Sequence, residues 1–140
     1  MDQITKLLVV RHIPLYGQAI EITPFLRIIH IKNTGIAFGL WAGGGWTKQL
    51  FFIGFSLLAI LAILYYLFKT GPSLLNNLGC GLVIGGALGN LTDRILHGNV
   101  VDFIDCHFRS YHWPAFNIAD SAVTIGMFIL AITILLKESH

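Results

Sequence analysis

Three apolar stretches decide what this chain can become: Leu50 to Phe68, Leu74 to Leu91 and Ile118 to Leu136. Each is close to the ~20 residues that a helix needs to cross the hydrocarbon core of a bilayer. With 140 residues, 55% of them hydrophobic and only 11% charged, and a mean hydropathy of +0.73, the chain is too apolar for an ordinary soluble domain. The expectation is an α-helical integral membrane protein with three transmembrane helices. A formal net charge of +2, carried by basic residues scattered singly, leaves no footprint for nucleic acid.

The connections carry a different pattern. Residues 1–49 and the loop 92–115 contain β-branched and aromatic alternation, as in "FLRIIHIKNTGIAFG" and "NVVDFIDCHF", and are expected to form a small extended or β lobe at one membrane surface. An even number of spans separates them, so they share a side. The whole of 1–140 then reads as a single membrane domain: surface lobe, helices at 50–68 and 74–91, outer loop at 92–115, and a last helix at 118–136. Gly81, Gly85 and Gly89 form a small-residue stripe on the second helix, expected to serve close helix packing. "MDQITKLLVV" carries no signal-peptide pattern, and its apolar part is too short to span.

A carboxylate in a transmembrane segment costs about 2.5 to 3.5 kcal/mol at the helix centre and less near an end, so each one needs a partner or a function. Asp120 stands in "FNIAD", just where the third apolar stretch begins, and has Asn117 three residues earlier. Asp93 has Asn90 in the same relation at the end of the second stretch. The two Asn-x-x-Asp pairs therefore face one membrane surface. Asp102 shares a strand face with Val100 and Ile104, which makes it a second anomaly, whereas Asp105 on the opposite face is expected to be solvated. The plainer readings are an ion pair of Asp93 with Arg94 and an N-cap role for Asn117.

Two carboxylates held together at low dielectric cannot both ionise readily, so the pair shares a proton. In that state one member activates water and the other acts as the acid, as in aspartic proteases, with no metal and no cofactor. His97, His107 and His112 show no recognised metal-ligand spacing, Cys80 and Cys106 imply no disulfide framework, and Ser121 lacks a Gly-x-Ser-x-Gly elbow. A second reading keeps the same acids as a proton or cation relay in a small transport subunit. Against it, the acids cluster at one end of the spans. A third reading is an inactive assembly partner using the glycine stripe.

The motifs resemble those of the lipoprotein signal peptidases, or signal peptidase II. "DQITK" (Asp2 to Lys6), "NTGIAFG" (Asn33 to Gly39), "GGALGNLTDR" with "VVDF" (Gly85 to Arg94 and Val100 to Phe103) and "FNIAD" (Phe116 to Asp120) stand in the family's order. The resemblance implies an intramembrane aspartic endopeptidase of the bacterial inner membrane, multi-pass, with its site near the outer face. It implies Asp102 and Asp120 as catalytic dyad, with Asn33, Asn90, Asp93, Arg94 and Asn117 in support. The implied partners are membrane lipid and a prolipoprotein carrying a diacylglyceryl group on the cysteine before which cleavage occurs. It also implies four spans, whereas Met1 here directly precedes Asp2, so the family's first helix is expected to be missing. Charge alone points the other way on sidedness: Lys6, Arg11, Arg27, Lys32, Lys48, Arg94 and Arg109 lie in the loops, against Lys69 and Lys137 on the opposite side.

Overall fold

In a computed structural model, residues 1–35, 45–71 and 73–138 are described. The elements run α1 (Asp2–His12), β1 (Ile20–Thr23), β2 (Leu26–Asn33), α2 (Gly45–Lys69), α3 (Leu74–His97), β3 (Val100–Phe108), β4 (Tyr111–His112) and α4 (Ile118–Glu138). Among the described residues, α2, α3 and α4 are long and apolar enough to span a membrane, with mean hydropathies of 2.5, 1.3 and 2.1. The fold class read from the sequence is the one found: three spanning helices with a small antiparallel sheet.

Local chemistry sets the boundaries. α1 carries Asp2 in its first turn and Arg11 and His12 in its last, each favourably placed on the macrodipole, and ends where Ile13 turns extended ahead of Pro14. α3 does not stop with its apolar residues at Leu91. It continues through Asp93 and Arg94 and is ended by Gly98, which is left-handed at φ 67° and returns its N–H to the Arg94 carbonyl. Strand β3 begins two residues later, so the helix end and the strand are rigidly joined. The polar residues that looked like a loop are thus the last turns of a spanning helix.

The helices are held by close backbone approach. A Cβ on Gly86 would collide with the Ala119 carbonyl of α4, and one on Gly126 would lie 2.7 Å from the Gly79 carbonyl oxygen. Lipid provides no hydrophobic drive for helix association, so van der Waals contact at such points does the work. This differs from the stripe expected at Gly81, Gly85 and Gly89: Gly81 and Gly85 have open space where a side chain would go, and Gly89 makes room for Asp2 and Ala119. Cys80, Val83 and Leu130 form the core between α3 and α4, flanked by Ile63, Tyr66 and Leu67 of α2. Phe55, Leu58 and Leu61 of α2 stay exposed, a face suited to hydrocarbon.

The sheet has the order β1-β2-β3-β4, antiparallel throughout. β2 pairs with β3 so that Ile31 lies opposite Asp102 and Asn33 opposite Val100, with an irregularity between Ile28 and Ile31. One side of the sheet packs on α1 through Val9, Ile13, Val101 and Phe103. Phe116, just ahead of α4, is clasped to β3 by backbone hydrogen bonds with Phe103 and Ile104. Strand and helix therefore meet at a fixed point, with Asp102 on one and Asp120 on the other.

Gly86→Ala and Gly126→Ala are expected to lower the melting temperature in detergent, by overpacking that costs about 1–3 kcal/mol. Gly85→Ala is expected to leave it unchanged or raise it, since the added methyl meets nothing and helix propensity favours alanine by about 1 kcal/mol. Thermal unfolding of the three variants beside the parent decides the matter.

Candidate active site

At the junction of α1, α3, β3 and α4 lies a cluster of buried polar side chains. Asp102 is only 2% exposed, Asp93 3%, and Asn117 is fully covered. Buried polar groups must be hydrogen-bonded, and here the partners are one another.

Asn117 and Asp120 form a reciprocal cap on α4. The Asp120 N–H donates to Asn117 Oδ1 at 3.0 Å, and the Asn117 N–H donates to Asp120 Oδ2 at 3.1 Å. This is capping-box geometry with aspartate in the third helical position, and it satisfies two donors that a helix start leaves open. The N-cap reading of Asn117 and the need for a reason at Asp120 thus have one answer. With its oxygen engaged, Asn117 turns its amide N–H₂ on Asp102 Oδ1, at 2.9 Å, and on Asn90 Oδ1, at 3.1 Å.

Asn33 repeats the arrangement from β2. Its Oδ1 accepts from the Gly35 N–H at 2.7 Å, and its Nδ2 donates to Asp102 Oδ2 at 2.9 Å. Gly35 is left-handed at φ 78°, and a Cβ there would run into Phe52, so glycine is required for the turn that presents this N–H. The rest of its motif, Ile36 to Gly39, lies outside the described residues. Asn90 completes the set by donating to Asp120 Oδ1 at 2.7 Å. Each of the two carboxylates thereby receives two N–H donors.

The structure brings together Asn33, Asn90, Asp102, Asn117 and Asp120 and places Asp93 and Arg94 differently from expectation. Asp93 does not pair with Arg94. Its Oδ2 lies 2.8 Å from Lys6 Nζ, and its Oδ1 accepts from Gln3 at 2.8 Å. Neighbours on a helix point to different faces, so Arg94 sets its guanidinium 5.1 Å from the Phe52 ring centre, while its charge still acts on Asp120, Asp102 and Asp93. Arg94 takes no part in an ion pair among the described residues. Asp2, Gln3 and Lys6 were not singled out as site residues by sequence reasoning. Their signal was an Asp-x-x-x-Lys pair one helical turn apart, closed here at 2.8 Å.

Burial pushes the Asp102 carboxyl up to about 6; the Asp120 charge adds to the rise, while the Asn33 and Asn117 hydrogen bonds and the Lys6 charge oppose it. Asp120 sits in the first turn of α4, where the macrodipole favours an anion. The two environments are unequal. Burial favours a retained proton on Asp102, and a second carboxyl bridged to it through Asn117 makes an arrangement suited to acid–base chemistry on a water molecule.

The family profile described as signal peptidase (SPase) II matches residues 1–136. This chain belongs to the signal peptidase II family. A lipoprotein signal peptidase of Burkholderia thailandensis is 44% identical over 130 residues, covering 92% of this chain and 77% of that protein. One from Paraburkholderia phytofirmans is 42% identical over 132 residues, covering 94% and 76%. Two solved structures, each described as a bacterial membrane enzyme determined by the in meso method, superpose with a TM-score of 0.85. The one at 2.3 Å resolution is 36% identical and covers 99% of this chain and 82% of that chain. The one at 1.9 Å is 37% identical, with 96% and 84% covered. The signal peptidase II match makes the chain a peptidase and a multi-pass membrane protein.

One acid of this signal peptidase II chain lies apart from the cluster. Asp105, expected to be solvated, is 2% exposed and is clasped by Arg27 of β2 and by His112 of β4, the latter at 3.0 Å. The face of β3 that alternation assigned to water is the one that Val101 and Phe103 pack against α1, and at Asp105 it is closed by the side chains of Arg27, directly opposite on β2, and His112 of β4. Burial alone would raise the Asp105 carboxyl, but the His112 and Arg27 hydrogen bonds and charges outweigh it and hold the group below the usual carboxylate range. A lowered carboxyl stabilises the fold above the unfolded-state value, near 3.8, and that contribution is lost as pH falls through the folded-state value. Asp105→Asn is expected to lower stability at pH 7 by about 1–3 kcal/mol while leaving peptidase activity within a few-fold of the parent. The difference in stability should vanish in strong acid, which thermal melts across pH would reveal.

Proposed function

We propose that this chain is an aspartic endopeptidase that removes signal peptides from diacylglyceryl-modified prolipoproteins, cutting before the lipidated cysteine. The observation that carries the reading is the pair Asp102 and Asp120, joined through Asn117 and each given two N–H donors, with the proton favoured on Asp102. The names of the relatives supply the substrate class.

In this mechanism the Asp120 carboxylate takes a proton from a bound water as its oxygen attacks the scissile carbonyl. Protonated Asp102 gives its proton to the oxygen that becomes negative, and the tetrahedral intermediate forms. Collapse breaks the C–N bond: the proton gained by Asp120 passes to the departing amine of the cysteine, and a hydroxyl of the intermediate returns its proton to Asp102 as the new carbonyl forms. The enzyme ends with one proton on the pair, as it began. Asn33, Asn90 and Asn117 hold the carboxylates in place, and no metal or cofactor enters any step.

The architecture fits a lipidated substrate. Diacylglyceryl tails remain in the bilayer beside the spans while the peptide bond lies at the level where α3 ends and α4 begins, so binding confines the reacting bond to the height of the dyad. We place the chain in the bacterial inner membrane with the dyad toward the outer face, where prolipoprotein cleavage sites emerge. The basic residues of the lobe oppose this on charge count alone. The transport alternative has less behind it: the acids lie together at one end of the helices, and among the described residues no chain of acids leads across.

Cleavage of a synthetic diacylglyceryl prolipoprotein in lipid is the test. Asp102→Asn and Asp120→Asn are each expected to lower kcat by about 10²-fold or more, with folded protein retained. Because Asp102 holds its proton up to about 6, kcat/KM is expected to fall above that pH, roughly tenfold per unit, as the proton needed for the acid role is lost. Full activity in either variant, or a profile flat to pH 9, would sink the dyad.

A further inference from the structure

Lys6 is an ammonium buried to 3% exposure against the polar cluster, and the mechanism above gives it no task. Its three N–H groups meet three acceptors: Asp2 Oδ2 at 2.8 Å, Asp93 Oδ2 at 2.8 Å and Asn90 Oδ1 at 3.0 Å. The two carboxylates satisfy its charge. The third contact, to a neutral amide, does something else. An ammonium can only donate, so whichever end of Asn90 faces it must be the oxygen. Once that end is fixed, the Asn90 N–H₂ has one direction left, toward Asp120 Oδ1 at 2.7 Å.

We propose that Lys6 is a positioning residue that locks the Asn90 amide in the one orientation that gives Asp120 a donor. This rests on the dyad reading and extends it to a residue that touches neither carboxylate of the dyad. Without the lock, Asn90 could turn its oxygen on Asp120, replacing an attraction with a repulsion between two acceptors. Asn117 Nδ2, which also approaches Asn90 Oδ1, is shared with the Val101 carbonyl and Asp102, and its hydrogens are fewer than its acceptors. It is the weaker of the two anchors. Asp2 serves the same lock from behind: its Oδ1 accepts from the Ala119 N–H at 3.0 Å, which pins the start of α1 to α4.

The test is a double-mutant cycle on Lys6→Gln and Asn90→Ser, with cleavage kinetics and melting temperature measured for both variants, their combination and the parent. Glutamine can present either end to Asn90, so it removes the lock without removing polarity. The expected result is a loss of about tenfold or more in kcat for each single variant, with KM within about twofold. The combination should be no worse than Asn90→Ser alone, because both changes remove one contact to Asp120. Losses that multiply, or an unchanged kcat in Lys6→Gln, overturn the proposal. Should Lys6→Gln unfold because Asp93 is left uncompensated, the same comparison is made between Asp93→Asn and Asp93→Asn with Lys6→Gln. A parent that cleaves nothing would instead refute the peptidase reading, so the two failures are distinct.

Discussion

An asparagine amide has a donor end and an acceptor end of almost the same shape, and which end faces a carboxylate decides whether the contact attracts or repels. At this site three asparagines face two aspartates, and each has its oxygen held by a group that can only donate: the Gly35 N–H for Asn33, the Lys6 ammonium for Asn90 and the Asp120 N–H for Asn117. Every N–H₂ is left pointing at an acid. The surrounding architecture serves these three anchors, which come from a glycine turn, a short helix and a capping box. Acids that would otherwise destabilise a membrane segment become tolerable because donors surround them before any substrate arrives.

The same anchors explain how the lobe and the spans form one body. Lys6 ties α1 to α3, Asp2 ties it to α4, and Asp93 reaches from α3 to the Val101 N–H of β3. Below this level the helices are joined differently, by bare backbone at Gly79, Gly86 and Gly126. A polar collar at the membrane surface and a close-packed seam within the hydrocarbon thus divide the task. Each uses the interaction that its surroundings strengthen: hydrogen bonds where water is excluded by protein, dispersion where lipid surrounds everything.

The spans were legible because hydrocarbon length is a one-dimensional property, read directly from runs of residues. The acids were legible because their cost is local. Partner choice was not, since it depends on facing elements far apart in sequence. Alternation placed Asp105 in water because it cannot see α1 packing on that face or Arg27 and His112 closing over the acid, and adjacency paired Asp93 with Arg94 although helical neighbours diverge. The glycine stripe failed for a related reason. Spacing identifies which glycines share a face, but only the crossing of α3 with α4 selects Gly79 and Gly86 over Gly81 and Gly85. Lys6 was visible only as part of a motif, its task depending on Asn90, 84 positions away.

The reliance on amide orientation also determines how this molecule can wear out. Hydrolysis of a single side-chain amide to the acid, the commonest spontaneous damage to asparagine, would turn a donor into a carboxylate facing another carboxylate. The side chain would keep almost the same shape, yet the charge balance around Asp102 and Asp120 would be lost. Asn117 is fully covered, whereas Asn33 is exposed. Water reaches the outermost amide, Asn33, first, so chemical ageing of the site begins there.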